Sequence, residues 1–182
     1  MMANIVILNG SPRPKGNTAA LIQSFTEGAE SADNQVTTFM LDKMDIHGCK
    51  GCFGGHSDEV CPCVQKDDMA KIYPAVKTAD VVVFASPLYF WNFSGQLRTA
   101  TDRLFALEEG GGEYLRGEKS CALLMAAEGH GFAHALAYYE FLAQKLKWQD
   151  LGHVTAGGVN QIGDIAGHEA LKKAYDLGAS IQ

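Results

Sequence analysis

The sequence has little of what marks a nucleic-acid-binding, membrane-spanning or disulfide-stabilised protein. Lysine and arginine total 15 against 21 acidic residues, and the formal net charge is −6, so there is no basic excess to hold nucleic acid or an anionic membrane. The longest strongly apolar stretch, VVVFASPLYFW, is about half of what spans a bilayer. The cysteines number five, and this odd count favours thiols or metal ligands over disulfides. We therefore expect a cytoplasmic protein with no nucleic-acid or membrane partner.

The sequence does contain an alternation of strand-like and helix-like segments. Apolar, β-rich runs occupy residues 4–8, 35–41, 80–87, 120–127 and 151–159. Near-continuous apolar strands are typical of a parallel sheet that is covered by helices on both faces. We therefore predict an α/β doubly wound fold in a single domain over residues 1–182, interrupted by a long cysteine-containing loop at about 45–68.

Helical spacing is clear in four of the intervening segments. The first, at about 18–32, places Leu21, Phe25 and Ala29 on one face. The second spans 94–107 and begins with Ser94 as its predicted N-cap. The other two span 132–148 and 168–180. Adjacent residues on a helix face different ways, so we interpret Asp102 and Arg103 as structural rather than as a catalytic pair.

The segment NGSPRPKGNT, residues 9–18, leaves the first strand and enters the first helix. Two glycines permit close backbone approach, and the helix start directs unpaired N–H groups into the loop. The polar and basic side chains available there are Ser11, Arg13, Lys15, Asn17 and Thr18. This arrangement is typical of a phosphate cradle. A turn followed by an N-cap is the alternative interpretation.

A second loop follows the third strand and is unusually aromatic. Residues 86–92 read SPLYFWN, with three consecutive aromatic rings. A flat, partly apolar ligand would explain these rings, and an aromatic minicore or an oligomer interface is the alternative. The fourth strand ends in AAEGHGF at 126–132, where glycines would allow contact with the same ligand.

Four stretches together resemble a known family. They are GSPRPKGNT, GCKGCF with the later CPCVQKDDM, ADVVVFASPLYFWNFSGQLRTATDRLF, and GGVNQIGDI. They are similar to the NAD(P)H-dependent FMN reductases of the flavodoxin-like family, particularly those related to iron–sulfur flavoproteins. The resemblance runs from about Asn4 to Ser180.

The resemblance implies a five-stranded parallel sheet in the order 2-1-3-4-5 and bound FMN. It assigns the FMN phosphate to Ser11, Arg13, Asn17 and Thr18, with Lys15 as a helper. It assigns the isoalloxazine ring to Pro87, Leu88, Tyr89, Phe90, Trp91 and Asn92, and the far side of that ring to Ala127, Glu128 and Gly129. No catalytic residue is predicted, because the flavin itself carries the hydride chemistry.

The implied activity is transfer of reducing equivalents from NAD(P)H through FMN to a small acceptor such as a quinone, a flavin, or a nitro or azo compound. A flavodoxin-like electron carrier and an iron–sulfur or redox-sensing flavoprotein are the alternatives. A homodimer or homotetramer is expected, because in this family a second subunit often provides part of the pocket.

Four cysteines lie within the long loop, as C-x-x-C at Cys49 and Cys52 and C-x-C at Cys61 and Cys63. Four thiolates at this density are able to ligate zinc or a cluster. The related iron–sulfur flavoproteins use a compact C-x-x-C-x-x-C, and Gly55 stands at its third position here. We predict no metal ligands, and leave a redox dithiol and reduced structural cysteines as the other interpretations.

Overall fold

The computed structural model describes residues 2–55, 61–109, 115 and 118–182. Its centre is a five-stranded parallel sheet with the strand order β2-β1-β3-β4-β5, which confirms the predicted order. The strands are β1 (Asn4–Asn9), β2 (Gln35–Met40), β3 (Val81–Pro87), β4 (Ser120–Ala126) and β5 (Gln149–Ala156).

Alternate side chains of the central strands enter two separate cores. Val6 and Leu8 of β1 pack in one core, and Ile5 and Ile7 pack in the other. The period of two follows from the pleat of a strand. Because both faces are covered, the central strands are apolar throughout.

Six α-helices are described, and they lie on both faces of this sheet. They are α1 (Asn17–Ser31), α2 (Met69–Thr78), α3 (Gly95–Arg103), α4 (Phe105–Glu109), α5 (Ala133–Leu146) and α6 (Glu169–Ala179). Helices α1 and α6 pack on the face that contains Ile5 and Ile7, whereas α2, α3 and α5 pack on the opposite face. The predicted apolar face of α1 is buried completely at Leu21, Phe25 and Ala29.

The contact between α1 and α6 is made through two glycines. A Cβ atom on Gly28 would lie 2.0 Å from the carbonyl oxygen of Tyr175, and one on Gly178 would lie 2.1 Å from that of Phe25. Real Cβ atoms do not approach backbone this closely, so any side chain here would separate the helices. This contact fixes α1, whose first turn faces the candidate site.

Several element boundaries differ from the predictions. The predicted helix at 94–107 begins at its Ser94 cap but divides at Leu104 into α3 and α4. Strand β5 lies at 149–156 rather than 151–159, and its register with β4 shifts beside Gly152, whose φ is +110°, as in a β-bulge. The described parts of the predicted loop at 45–68 contain no helix or strand, and residues 56–60 lie outside the description. No helix among the described residues is long and apolar enough to cross a membrane.

Candidate functional site

A cavity of about 220 Å³ lies at the carboxyl ends of the strands. Its walls come from the segments that follow β1, β3, β4 and β5. The chain passes from β1 to β2 on one side of the sheet and from β3 to β4 on the other, so the carboxyl ends of the neighbouring strands β1 and β3 form a topological switch point beside the cavity. Open parallel sheets bind ligands at this place.

The first wall is the loop between β1 and α1. Ser11, Asn17 and Thr18 are buried and line the cavity, and the exposed Arg13 lines its edge. The N-cap residue Gly16 offers no side chain to the first turn of α1, whose leading N–H groups have no intrahelical acceptor. The resulting donor set of N–H groups, hydroxyls and a guanidinium suits an anion.

The first loop is held against α3 by a close contact at Gly10. The Ser94 hydroxyl donates to the Gly10 carbonyl at 2.7 Å and also accepts the N–H of Leu97 at 3.3 Å, which caps α3. A Cβ on Gly10 would lie 2.5 Å from Ser94 Oγ and 2.6 Å from Leu97 Cβ. Glycine is therefore required for this loop to reach its position.

The second wall carries a two-residue hairpin. The N–H of Tyr89 and that of Asn92 each donate to the other's carbonyl at 3.0 Å. The two residues between them, Phe90 and Trp91, have φ values of +45° and +59°, a conformation that favours asparagine or glycine. The two residues are 93% and 60% exposed, and their rings meet edge to face at 5.9 Å.

The third and fourth walls follow β4 and β5. Ala126, Ala127 and Glu128 line the cavity from β4, and Val159 and Asn160 line it from the segment after β5. The N–H of Val159 donates to the Ala127 carbonyl at 2.9 Å. This backbone bond fixes the two walls to each other.

The first and fourth walls are also connected. Arg13 Nη1 donates to the Asn160 carbonyl at 3.0 Å, and Asn17 Nδ2 donates to the Gln161 carbonyl at 3.0 Å. Asn17 Oδ1 accepts the N–H of Ile165 at 3.4 Å. The amide of Asn17 therefore orders the neighbouring segment as well as lining the cavity.

The structure brings nine of the residues predicted from sequence to this cavity. They are Ser11, Arg13, Asn17, Thr18, Pro87, Leu88, Tyr89, Ala127 and Glu128. Five others are not among its lining residues: Lys15, Phe90, Trp91, Asn92 and Gly129. Trp91 instead lies against the third wall, since a Cβ on Gly131 would be 3.1 Å from its ring.

Four lining residues were not assigned to the site from the sequence, namely Gly16, Ala126, Val159 and Asn160. Gly16 and Ala126 adjoin residues that were identified. The other two follow the Gly157–Gly158 pair at the end of β5. Paired glycines after a parallel strand, followed by a polar residue, are the signal that would have indicated this wall.

The described part of the cysteine segment, residues 45–55 and 61–68, lies apart from the cavity and does not bring together a ligand set for a metal or an iron–sulfur cluster. Among the described residues, which include all five cysteines, no group of three or more potential ligands comes together. Cys61 is buried and directs its thiol to the carbonyls of Cys63 and Gln65, and Cys121 is buried in the core. No reaction step is therefore assigned to such a group.

Asp102 and Arg103 do not form a pair. Asp102 binds Arg98 at 3.2 Å on the helix surface, whereas Arg103 is buried and binds Asp67 at 2.5 Å. Although burial alone would raise the pKa of Asp67, its bonds with Arg103 and with backbone N–H groups hold that pKa below 3.8. Both residues therefore have structural partners.

Known proteins resemble this chain in sequence and in fold. A family model for NADPH-dependent FMN reductase matches residues 3–160. An iron–sulfur flavoprotein of Archaeoglobus fulgidus is 31% identical over 172 residues, which cover 94% of this chain and 76% of that protein. An iron–sulfur flavoprotein of Methanosarcina thermophila is 30% identical over 96 residues, 53% of this chain and 49% of that protein.

Solved structures share the fold at low sequence identity. An NAD(P)H:quinone oxidoreductase from Methanothermobacter marburgensis superposes with a TM-score of 0.76 at 17% identity, covering 98% of this chain and 96% of that one. An FMN-dependent NADH-azoreductase from Bacillus anthracis gives 0.64 at 15% identity, covering 96% of this chain and 95% of that one. These likenesses show a flavodoxin-like fold.

Proposed function

Because the chain belongs to the NADPH-dependent FMN reductase family, we propose that the cavity at the ends of β1, β3, β4 and β5 is its FMN site. The chain is an FMN-dependent NAD(P)H oxidoreductase. The observation that carries the proposal is the position of this cavity, at the switch point of the sheet and in front of the first turn of α1.

The residues at the cavity fit FMN. A doubly charged phosphate needs several donors, and Ser11, Thr18, Arg13 and the first turn of α1 supply them. The ring system needs apolar contact with a polar edge, and Pro87, Leu88 and Tyr89 offer both. Asn17 acts at the phosphate end and, through Gln161 and Ile165, orders the fourth wall.

Bound FMN supplies the hydride and electron chemistry, so the chain needs only to bind and orient it. Ser94 positions the first loop through its bond to Gly10, and the Val159–Ala127 bond closes the third and fourth walls. Ala127 and Glu128 would approach the ring from the side opposite Tyr89. Five predicted residues lie outside the described cavity, and we propose that they form its rim: Lys15, Phe90, Trp91, Asn92 and Gly129.

The proposed electron acceptor is a small molecule, such as a quinone, a flavin, or a nitro or azo compound. The rim is open and lies beside the exposed rings of Phe90 and Trp91, which favours a flat small molecule as the acceptor rather than a protein. A flavodoxin-like electron carrier is the second candidate, and it differs in being unable to take hydride from NAD(P)H.

We also propose that residues 1–182 form one domain that acts in the cytoplasm as a homodimer or homotetramer. The exposed aromatic residues Phe105 and Phe141 support an interface between subunits.

An absorbance spectrum of the anaerobically purified protein tests the activity. The flavin bands should be present and should bleach on addition of NADPH or NADH. Flavin that stays oxidised with both donors would support the electron carrier. A colourless protein that cannot be reconstituted with FMN would refute the proposal.

A pair of variants tests the assignment of the phosphate loop. Arg13 lines the cavity whereas Lys15, two residues away, does not. Loss of a charged hydrogen-bond donor to phosphate should weaken FMN binding about tenfold in Arg13→Gln. The matched control Lys15→Gln removes the same charge from the same loop and should change the affinity less than about twofold. Equal effects in a fluorescence titration would indicate general electrostatics rather than a contact.

A further inference from the structure

A second, smaller cavity lies outside the proposed flavin site. It measures about 30 Å³ and is enclosed by the cysteine segment, the end of α3 and helix α4. Three of the five cysteines line it, namely Cys49, Cys52 and Cys63, together with Arg103 and Glu109. None of its lining residues belongs to the flavin cavity.

Arg103 is an unusual residue to line such a cavity. Only 1% of its side chain is exposed. Its two terminal nitrogens bind Asp67, and Nη1 also donates to the His47 carbonyl at 2.8 Å. Its Nε–H is buried and has no hydrogen-bond acceptor among the described residues. Since buried donors are almost always paired, this N–H group, unpaired among the described residues, is available to a ligand or to a charged form of a neighbouring side chain.

Cys63 lines the same small cavity as Arg103. Its side chain is close enough to Tyr73 and Arg103 to interact electrostatically with both. Its sulfur also accepts the N–H of Gln65 at 3.5 Å. It is half-buried rather than sealed in the core, so a small oxidant can reach it.

Cys49, Cys52 and Cys121 lack this combination. Cys49 and Cys52 are exposed, and the sulfur of Cys49 accepts a backbone N–H from Gly51 at 3.4 Å. Cys121 is sealed in the core. The two carboxylates near Cys63 are already engaged, Asp67 by Arg103 and Glu109 by the N–H of Gly55 at 3.2 Å.

We propose that Cys63 is a peroxide-reactive thiol, and that Cys49 or Cys52 captures its oxidised form as a disulfide. The thiolate is the reactive form of cysteine, and a buried, unused N–H donor is a hydrogen-bond partner for a sulfur anion or for an oxygen bound to it. The inference depends on the second cavity alone and is independent of the flavin.

The chemistry balances in two steps. The Cys63 thiolate attacks one oxygen of hydrogen peroxide and the O–O bond breaks, so sulfur loses two electrons, becomes a sulfenic acid, and hydroxide leaves. The thiol of Cys49 or Cys52 then attacks the sulfenic sulfur, the S–O bond breaks, and water leaves with the thiol proton. Two thiols and one peroxide give one disulfide and two waters, counting the proton released when Cys63 ionised.

The order of labelling tests the proposal on the flavin-loaded, reduced wild-type protein. Limiting iodoacetamide followed by peptide mass spectrometry should find Cys63 alkylated before Cys49 and Cys52, although those two are more exposed. In a separate, unlabelled sample, one equivalent of hydrogen peroxide should remove two hydrogens from the intact mass and join Cys63 to Cys49 or Cys52. Labelling of Cys49 or Cys52 first, or a disulfide between those two with Cys63 reduced, would overturn it.

Variants distinguish the effect of Arg103 on the reactivity of Cys63 from the effect of the solvent exposure of that thiol. Arg103→Lys keeps a positive charge but removes Nε, and it should slow Cys63 labelling about tenfold while leaving Cys49 labelling unchanged. A double variant, Cys49→Ser with Cys52→Ser, should accumulate a sulfenic acid at Cys63 that a 1,3-diketone reagent traps. Circular dichroism would show whether Arg103→Lys folds. If it does not, the proposal is tested by the double variant and by the order in which the wild-type cysteines are labelled. Stoichiometric iron and sulfide that are lost in Cys63→Ser would also overturn the proposal.

Discussion

Replacing Gly10 by alanine should weaken both the fold and FMN binding. The new Cβ would lie 2.5 Å from Ser94 Oγ and 2.6 Å from Leu97 Cβ, so either the first loop or the start of α3 must move. Overpacking of this kind costs about 1–3 kcal/mol. Displacement of Ser94 also weakens the α3 cap, which adds about 1 kcal/mol. The free energy of unfolding should therefore fall by about 2–4 kcal/mol.

Gly95→Ala is the matched control for this change. Gly95 is the first residue of α3 and a Cβ there would meet nothing within 4 Å, so its stability should change by less than about 0.5 kcal/mol or rise slightly. Urea unfolding of the apoprotein measures the stability, and fluorescence titration measures FMN affinity, which should fall only in Gly10→Ala. If Gly10→Ala were as stable as the control and bound FMN normally, the close contact would not position the loop.

Three further predictions concern stability, and urea unfolding tests each of them. Gly28→Ala should destabilise the protein by about 2 kcal/mol, because a Cβ 2.0 Å from the Tyr175 carbonyl forces α1 away from α6; an unchanged midpoint would contradict this contact. Asp67→Asn should cost about 3–5 kcal/mol at pH 7, since it leaves Arg103 buried without its charge partner. The Asp67 pKa is lowered from 3.8 on folding, so this stabilisation is complete above that value and shrinks as the pH falls below it; a wild-type advantage that did not narrow near pH 3 would refute the assignment. Phe90→Gly should raise the free energy of unfolding by about 1 kcal/mol, because glycine adopts a φ of +45° without strain and the ring is 93% exposed; a loss of stability would show that the ring packs.

The sheet was predictable from the sequence because its central strands are buried on both faces. Runs such as VVVFA leave little choice of structure, and the face of α1 that carries Leu21 and Phe25 has clear helical spacing. The 2-1-3-4-5 order came from the resemblance to the family rather than from periodicity, because no local pattern records which strands are neighbours. Alternation predicted a helix between β2 and β3 without locating it, and Pro74 lies inside that helix.

The site was predictable where one continuous segment forms a wall. Ser11 to Thr18 is such a segment, and its turn residues, polar side chains and following helix are all visible in the sequence. Asn160 is held in the wall by a hydrogen bond from Arg13, 147 residues away in the sequence, and the paired glycines before it indicate a turn without indicating which residue it contacts. The outward direction of Phe90 and Trp91 depends on two positive φ values, which residue type alone does not predict for aromatic residues.

The glycine contact between α1 and α6 has a consequence for biosynthesis. Helix α1 is made early, but the helix that braces it ends at Ala179. Contacts so distant in sequence close late. In a ribosome-bound chain that stops short of α6, helix α1 lacks the helix that packs against it. Part of its apolar face, which includes Leu21 and Phe25, is then exposed. We expect the nascent chain to acquire firm cofactor affinity only after α6 has emerged, so that flavin loading follows translation instead of accompanying it.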